Sequence, residues 1–181
     1  MTEEDKVIEQ TKQWIRTVVI DCNFCPFAAK PFAGKKIRYK VLADSSENIL
    51  LETLIEEWQL LDEDAAIETS FLIFKDGFND FDSYLEMIHT AEELLADEAY
   101  EGVYQLASFH PLYCFEGATE SDASNYTNRS PYAMIHILRE SSLSDAITSF
   151  KNVDLIPERN IQFANAKGLK YMQALRGASL L

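Results

Sequence analysis

Basic residues are in short supply in this sequence. Sixteen Lys and Arg stand against 30 Asp and Glu in 181 residues, giving a formal net charge of −14. Such a surface repels a phosphate backbone and an anionic membrane alike, so nucleic-acid binding and membrane-surface attachment are both disfavoured. Long apolar runs are missing as well; none approaches the roughly 18 residues of a membrane span. The opening Met1-Thr2-Glu3-Glu4-Asp5 is acidic where a secretory leader is basic and then apolar, which points to a cytoplasmic protein. Cysteine is sparse and odd in number, with only Cys22, Cys25 and Cys114. Structural disulfides are therefore not expected in a reducing compartment. No internal repeat, low-complexity tract or linker interrupts the chain, so residues 1–181 read as a single domain.

What remains is an ordinary globular balance of 47% hydrophobic and 25% charged residues, enough to build a core without disulfides or metal. From about Glu4 to Ile20, Val7, Thr11, Trp14 and Val18 recur at helical spacing, and Thr2 with Asp5 resembles a capping box. Lys36 to Leu42 alternates strictly, with Ile37, Tyr39 and Val41 on one side and Lys36, Arg38 and Lys40 on the other. This predicts a strand with one wet face at a sheet edge. Leu50, Leu54, Trp58 and Leu61 form the stripe of a second helix. Phe71-Leu72-Ile73-Phe74 suits a central strand covered on both faces. A third helix follows Asn79 or Asp80, with Phe81, Tyr84, Leu85, Ile88 and Leu95 inward, and a third strand spans about Val103 to Phe109. The fold class is α/β or α+β: a single small sheet of about three to five strands with helices packed on it and a helical C-terminal part.

The last third reads differently. Residues 111–129 form a long polar stretch without periodicity, the kind of loop that is usually functional or mobile. Ser130 followed by Pro131 is a good helix start, so Tyr132 to Glu140 is read as helical, although Ala133 to Leu138 is also compatible with a buried strand. Pro157 opens a final helix carrying Ile161, Leu169 and Met172.

Three constellations could carry chemistry. Cys22-x-x-Cys25 has the spacing of a redox pair or of half a zinc site, with His110 and Cys114 as a second knuckle. It follows a helix instead of opening one, so the field that activates a dithiol is missing; Phe24, Phe27 and Phe115 favour packed thiols. Asn128-Arg129-Ser130 places a guanidinium at the expected helix N-terminus, a geometry that attracts an anion between them. The alternative is an arginine paired with a local carboxylate such as Glu120 or Asp122. Finally, on a helix His136, Arg139 and Glu140 would share one polar stripe, and with His110 near the same loop they are candidates for proton transfer.

These segments resemble a known family. Val18-Val19-Ile20-Asp21-Cys22-Asn23-Phe24-Cys25-Pro26-Phe27-Ala28 is similar to the pattern V-V-I-G-L-N-L-C-P-F-A. Residues 104–111, 125–132, 134–140 and 156–161 are similar to four further blocks. The resemblance is to family 1415 of the domains of unknown function, a set of bacterial proteins about this size, and it implies no activity. Its pattern has leucine at Cys22 and glutamine at Cys114, which weakens the zinc and dithiol readings. Cys25, His110, Tyr113, Asn128, Arg129, Ser130, His136, Arg139 and Glu140 match it.

The leading expectation is an enzyme acting on a small anionic metabolite. Its catalytic residues would be Cys25, His110 and His136, and its ligand-binding residues Asn128, Arg129, Ser130, Arg139 and Glu140, with no metal and no cofactor. A non-catalytic module for a small anion or a partner's carboxylate is the alternative, and a scaffold with a locked polar loop is the third reading. The sequence does not specify an oligomeric state.

Overall fold

A computed structural model describes residues 1–148, 150 and 152–181. Its centre is a four-stranded mixed sheet of β1 (Ile37–Leu42), β2 (Thr69–Phe74), β3 (Tyr104–Phe109) and β4 (Ala133–Arg139), in the order β1-β2-β4-β3. β1 pairs parallel to β2, and β4 inserts antiparallel between β2 and β3. With its helices the chain is an α+β fold. No helix among the described residues is long and apolar enough to cross a membrane.

The sheet faces are covered by different parts of the chain. On one lie α3 (Glu47–Glu63) and α4 (Phe81–Asp97), whose Leu50, Leu54, Trp58, Tyr84 and Ala91 bury against Leu72, Phe74, Ile135 and Ile137. On the other lie α1 (Glu3–Trp14), its π-helical continuation Ile15–Ile20, and two C-terminal helices, α6 (Ile156–Lys167) and α7 (Leu169–Ala178). The short α2 (Ala29–Ala33) and α5 (Glu140–Thr148) complete the helices. Thr2 and Asp5 form the expected reciprocal capping box on α1. All six β2 residues are buried, as the apolar run requires.

Four local expectations are corrected. Residues 133–139 form a strand, not a helix. Their run is apolar on both alternating faces, and β2 and β3 offer backbone partners on both sides, so ladder pairing overrides the Ser130-Pro131 helix signal. Arg38 is only partly open to water and donates to Glu57 on α3. Leu85 is exposed, because the buried stripe of α4 runs through Tyr84, Met87, Ile88, Ala91 and Leu95. The final helix is two helices broken at Gly168, whose φ of +82° is open to glycine and strained for other residues; Ile161 lies exposed on the first of them.

Candidate functional site

The covering of the second face leaves a gap. A cavity of about 640 Å³ opens between that face and the segments around it. Its floor is Ile37, Thr69, Phe71, Ala107, Phe109, His136 and Leu138; Trp14, Ile15 and Val19 form one wall, residues 25–28 another, and α5 closes a third side. Two elements give it this shape. The π-helical turns at Ile15–Ile20 widen the helix just above the sheet, a feature often found at functional sites. Cys25 then follows a turn at Asn23, whose φ is +56°, and that turn is tied to α6: Arg159 donates to the Asn23 carbonyl and Asn160 Nδ2 to the Phe24 carbonyl.

His136 is the polar centre of this cavity. Its ring stacks flat on Phe71 with centroids 3.9 Å apart and 6° between the planes. Thr69 Oγ1 lies 2.5 Å from His136 Nε2 and 2.5 Å from the Ile137 carbonyl oxygen. A hydroxyl has one proton, and a carbonyl can only accept, so Thr69 donates to Ile137 and accepts from Nε2–H. That assignment fixes the tautomer and leaves Nδ1 as a bare lone pair. Nδ1 has no hydrogen bond among the described residues, and the one fully buried unpartnered side-chain atom there is Trp58 Nε1, so Nδ1 stays accessible from the cavity. Burial pushes the imidazole pKa down to about 3, which keeps the ring neutral at neutral pH. Cys25 is half-buried on the facing wall. Burial raises its thiol pKa, while the backbone amides of Phe27 and Ala28 pull against that shift.

The other expected site residues lie elsewhere. His110 follows β3 on the α3/α4 side, against Phe81 and Tyr84. Its Nε2–H donates to the Phe78 carbonyl at 2.7 Å and its Nδ1 accepts from the Leu112 amide at 3.0 Å, so both nitrogens are occupied. Arg139 points to the face opposite His136 and donates to the carbonyls of Leu61, Asp64 and Ile67, because residues three apart on a strand diverge where on a helix they would align. Glu140 opens α5. Asn128 donates to the Ser108 carbonyl and accepts from Thr127 Oγ1. Arg129 meets no helix N-terminus: Nε donates to the Tyr113 carbonyl and Nη2 to the Glu120 carbonyl, pinning the 111–129 loop from inside, where Ala123–Thr127 is a 3-10 turn. Ser130 donates to the Tyr132 carbonyl. The three cysteines are free, Cys114 packing against Asn125 and Cys22 against the Thr17 carbonyl. Among the described residues no group of three or more His, Cys, Asp or Glu side chains could hold a metal.

Residues 6–174 match the family model described as Protein of unknown function (DUF1415). The chain belongs to this family. Neither the curated proteins nor the solved structures contain a match. Four of the five resembling blocks touch the cavity or its supports: the π-helix with the Cys25 wall, β3 through Ala107 and Phe109, β4 through His136, and α6 through Arg159 and Asn160. Sequence reasoning missed Thr69 and the π-helix. Thr69 lies 67 residues from His136 and has no motif of its own, so only strand pairing reveals it.

Proposed function

We propose that this protein takes up a small uncharged molecule with an apolar body and at least one hydrogen-bond donor, in the cavity on the second sheet face. The observation that carries this reading is the bare His136 Nδ1, a fixed acceptor in a chamber walled by Trp14, Phe27, Phe71 and Phe109. Cavities of several hundred cubic ångströms with apolar walls and a few placed polar groups are the usual form of small-molecule sites. The charged side chains lining the cavity are of both signs, Lys30 with Glu68 and Asp145, so the field does not select an anion. Phenol and indole are suitable probes. Calorimetric titration of either should give saturable binding that weakens about tenfold in His136→Phe, since a buried donor left unpaired costs roughly 1–3 kcal/mol. Equal binding by wild type and variant would reject the reading.

A second reading is catalytic, with Cys25 as the nucleophile of the cavity and His136 Nδ1 accepting a hydrogen bond from the bound molecule. The two amides of Phe27 and Ala28 at Cys25 favour it, because they would stabilise a thiolate formed during attack. The resting thiol is protonated, so iodoacetamide should modify Cys25 slowly at pH 7 and faster as pH rises above 9.

A further inference from the structure

A different region of the molecule holds two arginines without acidic partners. Arg129 is 8% exposed, and its guanidinium lies 4.9 Å over the Tyr126 ring with only backbone carbonyls as acceptors. Arg176, half-buried on α7, sits alongside: its Nε donates to the carbonyl of Ser130, the residue after Arg129, at 2.9 Å. Its two Nη atoms donate to nothing among the described residues. Neither arginine lies within 4 Å of a carboxylate there, and what sets the pair apart is that the two guanidinium groups lie side by side and partly or fully buried. Burial, and then the Arg129 charge, hold the Arg176 pKa below its ordinary value, while Tyr126 opposes this. In a chain with 30 acidic side chains, two adjacent cations kept apart from all of them form an arrangement that costs free energy unless something compensates it.

We propose that Arg129 and Arg176 form a binding site for an oxyanion, a phosphate or carboxylate group, separate from the His136 cavity and independent of the reading given to it. Arg176 supplies the free guanidinium edge, which presents two parallel N–H donors in the geometry such groups accept. Arg129, fixed by the Tyr113 and Glu120 carbonyls, supplies charge behind it.

The test is titration of the full chain with inorganic phosphate, and in parallel with succinate, against chloride at matched ionic strength. Wild type should show saturable binding to at least one of the two, which also tells phosphate from carboxylate. Arg176→Gln should bind about tenfold more weakly or worse, yet melt in chloride at or above the wild-type temperature, because it removes one of two like charges. Arg176→Lys, which keeps the charge and loses the fork, should fold as wild type and bind several-fold more weakly. No response beyond chloride in wild type, or undiminished binding in both variants, would overturn the site. So would melting of Arg176→Gln far below wild type in chloride, which would make the arginine a structural strut.

Discussion

Strands β2 and β4 send alternate side chains into two unlike environments. Towards α3 and α4, Leu72, Ile135 and Ile137 meet a filled core that also contains an ion pair: Glu57 is 2% exposed, takes both oxygens to Arg38 Nε at 2.9 Å and accepts from Ser70 Oγ at 2.5 Å. Towards α1 and the C-terminal helices, Thr69, Phe71 and His136 meet open volume and an unpaired nitrogen. Interiors are close-packed, so an unfilled chamber beside a packed core on the same strands marks a difference of purpose. One face is packed along its length, and the other joins a second core around Trp14, Ile73 and Met134 to a chamber that leaves room for a guest.

The largest effect should come from the packed face. Glu57→Ala leaves the Arg38 guanidinium and Ser70 hydroxyl without their acceptor and should cost on the order of 3–5 kcal/mol in urea denaturation. A cost near zero would mean that this face is no better packed than the other.

Next in size is the pH dependence of the open face. His136 has a folded pKa of about 3 against an unfolded value of 6.5. A depressed imidazole stays neutral in the fold while the unfolded chain takes up a proton. Its contribution is therefore complete above pH 6.5 and is lost as pH falls towards 3, at up to ~1.4 kcal/mol per pH unit. The carboxylates titrate in the lower part of this window, so the comparison is with His136→Phe, whose stability should fall less steeply between pH 6.5 and 5. Equal slopes would place His136 in water.

The smallest effect should come from filling the chamber. Ala107 is on its floor, and Ala107→Leu adds bulk where there is space. Stability should change by less than about 1.5 kcal/mol, whereas overpacking a full core typically costs 1–3 kcal/mol. Binding of indole should nevertheless be lost.

Much of the packed face was legible in the sequence, because its signals are local. The stripe Leu50-Leu54-Trp58-Leu61 and the run Phe71–Phe74, which turns Leu72 and Phe74 to this side, each report one element's own periodicity, as the capping box of α1 does on the opposite face, and all of these residues are placed as read. The open face was less legible, because its geometry is made by partners distant in sequence. Residues 133–139 carry apolar side chains on both sides, and only pairing with β2 and β3 decides strand over helix. That choice separates His136 from Arg139 and takes Arg129 away from a helix N-terminus. Of the proton-transfer candidates, Cys25 and His136 share the cavity, whereas His110 is locked by the Phe78 carbonyl and the Leu112 amide on the other side.

The central claim is that His136 presents a bare, neutral Nδ1 to a chamber that admits small molecules. It is tested most directly by 15N NMR of the histidine side chains at pH 7 during titration with phenol. The account predicts an Nε2–H tautomer for His136, with its unprotonated Nδ1 resonance moving saturably as phenol donates to it. The His110 resonances should stay fixed, and the response should vanish in Ala107→Leu. A protonated Nδ1 on His136, or a resonance that phenol leaves unmoved, would contradict the account.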